Sequence, residues 1–223
     1  MLLLGLTGGI GSGKTAVASR LALHPGVRVL YADDLAKRLL VDDDRVREAV
    51  TERFGAETYR PDGSLDRARL ASRVFGNEAE LDALNAIVHP AVRRAMHAEI
   101  ETARQVGVPL LVYEAALLFE TGGDALVDHV VVVDAPEEMR IIRAMARDGA
   151  SRDAIEARMA RQLPAETLRQ RADTVLDNFG SLAALHEQAD ALYSRLVRSS
   201  RLGTEAEGLA SPAATNSESE TNR

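Results

Sequence analysis

Short apolar runs alternate with stretches of helical periodicity along most of the chain. Each run is rich in Val or Leu, as strands covered on both faces tend to be. Alternation of such strands with helices is typical of βαβ units. The pattern predicts an α/β fold with a five-stranded parallel sheet between helical layers, whose strands are Leu2 to Thr7, Val27 to Tyr31, Leu110 to Tyr113, His129 to Asp134 and Thr174 to Leu176.

The segment between the second and third predicted strands is about 75 residues long, far more than a minimal crossover needs. Apolar residues recur in it at intervals of three or four, namely Leu81, Leu84, Val88, Val92, Met96 and Ile100. This stripe predicts an amphipathic helix, which we expect Pro90 to interrupt or restart. We interpret residues 35–107 as a helical insertion that binds a substrate.

A second helical segment, from Glu137 to Arg171, is rich in arginines dispersed among acidic residues, and it is a candidate lid. Two interpretations of these arginines stay open: contact with a phosphate, or a solvated face paired with neighbouring carboxylates. From Arg201 onward little can be buried, which predicts a disordered tail. The predicted organisation is a single domain at 1–200, with a core (1–34, 108–136 and 172–198), an insertion (about 35–107) and a lid (about 137–171), followed by the tail at 201–223.

The composition of the 223 residues limits the chemistry of any site. The sequence has no cysteine, which excludes disulfides, Cys-ligated zinc and thiol catalysis, and its five histidines show no ligand spacing. Any metal is therefore expected to be a hard ion bound by oxygen. The net charge of −7 disfavours a general nucleic-acid binder, and no apolar run approaches the roughly 20 residues of a membrane helix. We expect a monomeric, cytoplasmic protein without a nucleic-acid or membrane partner.

The first predicted strand is followed by Gly8-Gly-Ile-Gly-Ser-Gly-Lys-Thr15, a full match to the phosphate-binding pattern G-x-x-x-x-G-K-[ST], and then by a helical segment from Ala16. Glycines let such a loop turn successive N–H groups towards a phosphate, and the helix places its positive end there. In this interpretation Lys14 reaches the β- and γ-phosphates of ATP, and the Thr15 hydroxyl binds Mg²⁺. The alternative is a flexible glycine-rich turn, which the strand, helix, Lys and Thr in their expected places disfavour.

The second predicted strand ends in Tyr31-Ala-Asp33-Asp34. Ligands of open α/β sheets bind at the carboxyl ends of the strands, so Asp33 is expected to face the γ-phosphate. A carboxylate there can accept the proton of an attacking hydroxyl group. The alternative is that Asp33 or Asp34 caps the helix that follows. We assign Asp33 as the base and Asp34 as the cap or a solvent-facing residue.

Several motifs, in order, resemble those of the dephospho-CoA kinases over most of residues 3–198. The phosphate loop and Ala32-Asp33 are followed by Leu84-Asn-Ala-Ile-Val-His89-Pro90, Leu117-Leu-Phe-Glu120, Arg143-x-x-x-Arg147-Asp148 and Ala172-Asp-x-Val-x-Asp177-Asn178-x-Gly180. That family transfers the ATP γ-phosphate to the ribose 3′-hydroxyl of dephospho-CoA. The resemblance implies the last step of coenzyme A biosynthesis, which yields coenzyme A and ADP, with Mg²⁺ as cofactor.

The resemblance also implies a role for each site residue. Asp33 is the base and belongs to the acceptor side with His89, Phe119 and Glu120, while Lys14, Arg143 and Arg147 act on the phosphates. ATP binding is implied for Gly8, Gly9, Gly11, Ser12, Gly13, Lys14, Thr15, Ala16 and Asn178, and Thr15 also binds the metal. On the residues alone, His89 could equally be a structural histidine and Phe119 a core side chain.

The chain departs from the family pattern at three positions. Tyr31 stands where an acidic residue is common, which puts in question a mechanism with two carboxylates on Mg²⁺. Ala116 replaces a proline before the Leu-Leu-Phe-Glu run, so we expect that turn to be less rigid. Ala16 replaces a hydroxyl residue, with little expected consequence because Thr15 supplies the hydroxyl.

Two alternatives to this function remain for comparison. Another small-molecule P-loop kinase, for a nucleoside, nucleotide or sugar acid, would share ATP, Mg²⁺, Asp33 and the lid but differ in its acceptor pocket. A regulatory GTP-binding switch would need Asn-Lys-x-Asp, which the sequence lacks. Its Asp-x-x-Gly would be Asp177-Asn-Phe-Gly180, too late in the chain for a switch near the second strand.

Overall fold

The computed structural model describes residues 1–74 and 76–209, and a five-stranded parallel sheet lies at its centre. The strand order is β2-β3-β1-β4-β5, which confirms the predicted sheet. β3 and β5 each end one residue later than predicted. The strands are β1 (Leu2–Thr7), β2 (Val27–Tyr31), β3 (Leu110–Glu114), β4 (His129–Asp134) and β5 (Thr174–Asp177).

Helices cover both faces of this sheet. Successive strand residues point to opposite faces. Leu4 and Leu6 of β1 therefore pack with α1 (Lys14–Leu21) and α9 (Leu182–Leu209) on one face. Leu3 packs on the other face with α2, α5 and α8, which span Ala32–Asp42, Glu78–Gln105 and Ala165–Arg171. The carboxyl ends of the strands stay open between these layers, and the candidate site lies there.

The segment between β2 and β3 is helical, as predicted, and has a hydrophobic cluster of its own. It contains α2, α3 (Asp44–Phe54), a short 3₁₀ turn (Ala56–Thr58), α4 (Arg67–Val74) and α5. Buried side chains from these elements pack together, including Val50, Phe54, Leu70 and Ala91. The helices thus form a packed unit of their own, while α2 and α5 also belong to the layer that covers one face of the sheet.

The prediction that Pro90 interrupts the amphipathic helix is wrong, since α5 runs through it from Glu78 to Gln105. A proline inside a helix costs about 3 kcal/mol or more. Buried residues that follow Pro90 on the same helix belong to two clusters, Ala91 to one and Met96 and Ile100 to the other, and burial of each larger apolar side chain contributes about 1.5–3 kcal/mol. Tertiary packing therefore outweighs the local preference and keeps the helix continuous.

The candidate lid and the chain end complete the description. The lid region consists of α6 (Glu137–Asp148), α7 (Arg152–Met159) and α8. Helix α9 continues to Leu209, so it includes 201–209 of the segment that we predicted as a tail, and 210–223 lies outside the described residues. Across residues 1–74 and 76–209, no helix combines the length and apolar character that a bilayer crossing requires.

Candidate active site

The loop from Gly8 to Thr15 connects the carboxyl end of β1 to α1, which begins at Lys14, two residues before the predicted Ala16. Gly11 and Gly13 have positive φ angles of 78° and 104°, a conformation that residues with a Cβ rarely adopt. A Cβ at Gly11 would collide with the carbonyl oxygen of Arg140, and one at Gly13 with Nδ2 of Asn178. The glycines therefore let the loop lie tightly against its neighbours while the α1 N-terminus faces the open sheet edge.

Lys14 is 8% exposed and is folded onto the loop that carries it. Its Nζ donates hydrogen bonds to the carbonyl oxygens of Gly8 at 3.0 Å and Gly9 at 3.2 Å. Burial lowers the pKa of the Lys14 ammonium, and the carboxylates of Glu114 and Asp33 oppose that shift. Two facing carboxylates thus favour the charged ammonium that a phosphate would contact.

Asp33 and Asp34 lie in the first turn of α2 and face different surroundings. The N-cap of α2 is Tyr31, so the alternative that one of the two aspartates caps this helix is wrong. Asp33 lines a cavity together with Lys14 and Thr15. The Asp34 carboxylate is exposed and accepts a hydrogen bond from Lys37 Nζ at 2.9 Å. Only the first of the two carboxylates therefore faces the phosphate loop.

Glu114 is a site residue that the sequence analysis missed. It is the last residue of β3 and lies in register between Leu6 of β1 and Tyr31 of β2. It lines the same cavity as Asp33. Burial raises the pKa of the Glu114 carboxyl, Lys14 opposes this, and Asp33 adds to it. The rule that singled out Asp33, a polar residue at the carboxyl end of a parallel strand, applies equally to Glu114 once β3 is extended by one residue.

Arginines from the α6 and α7 region form the wall opposite these carboxylates. Arg143, Arg147, Arg158 and Arg161 all line the cavity. Asp148 holds two of them, because it accepts bonds from Arg147 at 2.6 and 3.0 Å and from Arg158 at 2.6 Å. These bonds, first that of Arg147, lower the pKa of Asp148 to about 2. Nη1 of Arg143 is buried and has no hydrogen-bond partner within the described residues, so it keeps a donor for a ligand.

The cavity has a volume of about 710 Å³ and extends from the phosphate loop to α5. His89 and Arg93 lie on its α5 side, and burial, followed by the Arg93 charge, lowers the pKa of His89. The remainder of that end is mostly apolar and includes Ala36, Leu40, Leu81, Leu84, Val88, Val92, Met96 and Leu126. The cavity is therefore charged near the phosphate loop and apolar farther from it, as ligand sites with a few placed polar groups usually are.

Phe119 and Glu120 are not part of the cavity lining. Phe119 is buried in the core, with the Arg171 guanidinium 4.2 Å from its ring centroid. Oε1 of Glu120 accepts a hydrogen bond from the Leu163 N–H at 2.8 Å. Their predicted role in acceptor binding stays a prediction.

Asn178 is buried against the backbone of the phosphate loop and is not part of the cavity lining. Its Nδ2 donates to the carbonyl oxygen of Ser12 at 2.7 Å, and its own N–H donates to Asp134. Gly11, Gly13 and Thr15 line the cavity, whereas Gly8, Gly9, Ser12 and Ala16 belong to the same loop and its helix without facing the cavity. The structure thus joins Asn178 to the loop backbone, and its contact with ATP stays a prediction.

The fold and this loop, together with a carboxylate, a lysine and arginines around one cavity, define a P-loop kinase. The family profile described as dephospho-CoA kinase matches residues 2–184. The dephospho-CoA kinase of Salinibacter ruber is 50% identical over 193 residues, which cover 86% of this chain and 96% of that protein. The chain belongs to the dephospho-CoA kinase family.

Solved structures agree with the fold. A crystal structure of a Thermus thermophilus protein superposes with a TM-score of 0.71 at 39% identity and covers 87% of this chain and 97% of that one. Dephospho-CoA kinase from Campylobacter jejuni gives a TM-score of 0.61 and covers 87% and 96%, respectively. Because the latter is 22% identical, it supports the fold alone.

Proposed function

We propose that the chain transfers the γ-phosphate of ATP to the ribose 3′-hydroxyl of dephospho-CoA, which yields coenzyme A and ADP. One observation carries the assignment of roles: Asp33 and Lys14 line one cavity that has the phosphate loop at one end and α5 at the other. ATP on the loop and an acceptor on the α5 side would then meet at Asp33.

The reaction requires one bond to form, one to break and one proton to move. The acceptor oxygen attacks the γ-phosphorus in line, the bond from that phosphorus to the ADP oxygen breaks, and the hydroxyl proton passes to Asp33. Lys14, Arg143 and Arg147 balance the negative charge on the phosphates. Each of these side chains already faces the cavity, which reduces the reorganisation needed when charge develops.

The residues near the loop fit a bound Mg²⁺. Mg²⁺ in kinases is typically held by one or two carboxylates together with substrate phosphates and water. Thr15, Asp33 and Glu114 line the cavity and offer oxygen donors. Within residues 1–74 and 76–209, no group of three or more His, Asp or Glu side chains is arranged to hold a metal ion by itself. We propose that Thr15 and Glu114 hold the ion, which would neutralise phosphate charge, and that Glu114 takes the place of the acidic residue absent at position 31.

We propose that α6 and α7 form the lid. Ile141, Ala144 and Ile155 pack with one another in a small cluster, whose partly buried members include Ile10 of the phosphate loop. The two helices thus pack on each other, and α6 also lies against the phosphate loop, where the Arg140 backbone leaves no room for a Cβ at Gly11. Such a unit can move towards bound ATP and exclude water that would otherwise hydrolyse it.

The acceptor would lie along α5 and α2. Dephospho-CoA carries a diphosphate and a long arm with methylene and methyl groups between its amides, and the α5 side offers partners for both: Arg93 with His89 for the charge, and the apolar wall for the carbon groups. Arg93 is positioned by its own hydrogen bond to the Thr121 carbonyl oxygen at 2.8 Å. This distribution favours dephospho-CoA over a compact sugar acid.

A panel of acceptors tests this function. Purified protein with Mg²⁺ and ATP is assayed for ADP release and phosphorylated product with dephospho-CoA, adenosine, AMP and shikimate as separate acceptors. We expect kcat/KM for dephospho-CoA to exceed that for every other acceptor by at least 100-fold, because only it offers both a diphosphate to Arg93 and His89 and a long arm to the apolar wall on the α5 side. Preference for a nucleoside, a nucleotide or a sugar acid would replace the proposed function by the alternative kinase.

The cellular setting is also part of the proposal. We propose a monomer that acts in the cytoplasm, without a nucleic-acid or membrane partner. Light scattering of the purified protein and fractionation of cells test these two points separately from the activity.

A further inference from the structure

The Gln162 side chain joins three separate segments beside the phosphate loop. Its Oε1 accepts a hydrogen bond from the Ile10 N–H at 2.7 Å, and its Nε2 donates to the Ala116 carbonyl oxygen at 2.9 Å. Ile10 belongs to the phosphate loop and Ala116 to the turn after β3, while Gln162 lies between α7 and α8. One amide therefore fixes the distance between the donor loop, the acceptor-side turn and the end of the candidate lid.

The same amide also reaches the carbonyl oxygen that Lys14 uses. The Gly8 carbonyl oxygen accepts from Lys14 Nζ at 3.0 Å, and Gln162 Nε2 lies 3.5 Å from it. When Lys14 turns to a phosphate, this buried carbonyl loses its closer donor. Gln162 can then supply the replacement, which avoids the cost of an unpaired buried acceptor.

The residues around Gln162 connect it to the arginines of the cavity. Arg158 and Arg161 line the cavity just before it in sequence, and the next N–H, that of Leu163, donates to Glu120. Two neighbouring residues are thus bonded to the segment that follows β3: Gln162 through its side chain and Leu163 through its backbone N–H. The segment that carries Arg158 and Arg161 is therefore held in place at its end by the hydrogen bonds of residues 162 and 163.

We propose that Gln162 is a positioning residue that holds the phosphate loop and the acceptor-side turn in register with the end of the lid, so that the γ-phosphate of ATP is transferred to the acceptor and not to water. This inference rests on the proposed kinase function. Gln162 acts through Ile10, Ala116 and the lid arginines, and its loss would displace the reacting groups without removing any of them. Misplacement of about 1 Å can cost about 100-fold in rate.

Gln162→Met tests the proposal, since methionine has a similar length and forms neither hydrogen bond. We expect kcat for phosphorylation of dephospho-CoA to fall about 10- to 100-fold, while KM for ATP changes less than threefold. ADP released per acceptor phosphorylated should rise from about one to at least three, because a poorly registered lid admits water. The matched control is Gln170→Met on α8, where the exposed Gln170 donates to Glu166 and does not touch the cavity. It should behave as the unsubstituted protein does.

Amide exchange gives a readout that does not depend on activity. The Ile10 N–H should exchange slowly in the unsubstituted protein and faster in Gln162→Met, because its acceptor is gone. Gln162→Glu separates the effect of the hydrogen bond to Ile10 from that of the hydrogen bond to Ala116. It also replaces the methionine variant if that variant does not fold. Its carboxylate still accepts from Ile10 but cannot donate to Ala116, so we expect slow Ile10 exchange together with uncoupled ADP release.

Unchanged Ile10 exchange in Gln162→Met, or a normal ratio of ADP to phosphorylated acceptor in both variants, would overturn the role of Gln162. A fall in kcat that merely follows a lower melting temperature would do the same. Failure of the kinase assignment has a different signature, because the unsubstituted protein would then prefer another acceptor in the panel. The ratio of ADP released to acceptor phosphorylated would then be measured with that preferred acceptor. The exchange rate of the Ile10 N–H can be measured without any acceptor.

Discussion

Neighbouring aspartates at the start of α2 illustrate how a helix separates the roles of adjacent residues. Side chains one residue apart on a helix diverge by about 100°, so they do not share a face. Asp33 lines the cavity with Lys14, whereas Asp34 pairs with Lys37 in solvent. The pair therefore provides a test residue and its control at the same point of the chain.

Asp33→Asn should lower kcat by at least 100-fold and change the Kd for ATP less than about threefold. The amide cannot accept the hydroxyl proton, but it keeps the shape of the carboxylate and leaves the phosphate loop intact. Steady-state kinetics and calorimetric titration with ATP measure the two quantities. Asp34→Asn should change neither by more than about twofold, and little change of kcat in Asp33→Asn would remove Asp33 from its assigned role as the base.

Glu114→Gln should raise the melting temperature by a few degrees at pH 7. Burial raises the pKa of Glu114 above its ordinary value of 4.5. The protonated carboxyl therefore stabilises the folded state at low pH, and this contribution is lost as the pH rises through the folded-state pKa. At pH 7 the buried carboxylate is ionised and lowers the free energy of unfolding, which the neutral amide of glutamine does not do. The gain should shrink as the pH falls and vanish below about pH 4. Thermal unfolding of both proteins from pH 4 to 8 measures it.

The same variant should require more Mg²⁺ for half-maximal activity, because an amide oxygen is a weaker ligand than a carboxylate. A magnesium titration at fixed ATP provides this second measurement. Equal melting temperatures at pH 7, together with an unchanged magnesium requirement, would show that Glu114 has neither the electrostatic cost nor the role assigned to it.

At the scale of elements, α9 is held to α1 by a cluster of polar side chains. Arg20 donates two hydrogen bonds to the Asp190 carboxylate, at 2.8 and 2.6 Å, and Nε2 of His24 lies 2.8 Å from it. The His24 ring stacks on Tyr193, with ring centroids 4.1 Å apart. These contacts join the helix that follows the phosphate loop to the last helix of the fold.

Asp190→Asn should lower the melting temperature at pH 5 to 7 but not at pH 2. The hydrogen bond from Arg20 is the main cause that lowers the pKa of Asp190 to about 2, below its ordinary value of 3.8. A lowered folded-state pKa stabilises the protein above the unfolded-state pKa, and this effect disappears as the pH falls from about 4 to about 2. Thermal unfolding across pH 2 to 7 checks the convergence, with Glu187→Gln on the exposed side of α9 as the control. Parallel curves for Asp190→Asn and the unsubstituted protein would contradict it.

Much of the fold could be predicted because its strands are short, apolar and covered on both faces. The phosphate loop was equally accessible, since a complete motif lay between a strand and a helix. Pro90 was misleading because local helix preference says nothing about the packing of Val88, Ala91 and Met96. Two details were missed, the N-cap of α2 at Tyr31 and the site residue Glu114 at the end of β3. Predicting either one requires the end of a helix or strand to within one or two residues, and sequence patterns do not define such ends that closely. Gln162 had no local signal, since its partners lie 152 and 46 residues away.

For the whole molecule, ATP binding should be visible as resistance to heat. A ligand at 100 times its Kd stabilises the folded state by about 2.7 kcal/mol, which corresponds to roughly 5 to 10 °C for a chain of this size. We expect Mg²⁺ and ATP to produce such a shift in the unsubstituted protein. Lys14→Ala should lose most of it because the ammonium beside Gly8 and Gly9 is gone.

Differential scanning fluorimetry with and without Mg²⁺ and ATP measures the shift. Asp33→Asn should retain it, because that residue is assigned to the acceptor proton and not to nucleotide binding. A full shift in Lys14→Ala would contradict the assignment of Lys14 to the phosphates, and a lost shift in Asp33→Asn would contradict the assignment of Asp33.

The central position of β1 has a consequence for synthesis on the ribosome. Leu2 pairs with Leu110 and Leu4 with His129, so the strand is made about 100 residues before its first partner. At roughly 5–20 residues per second, that interval is about 5 to 20 s. During this time β1 has no strand partner, and the phosphate loop that follows it cannot take its final shape. The phosphate loop is therefore made early and completed late, and an apolar strand stays unpaired on the growing chain until β3 and β4 have emerged.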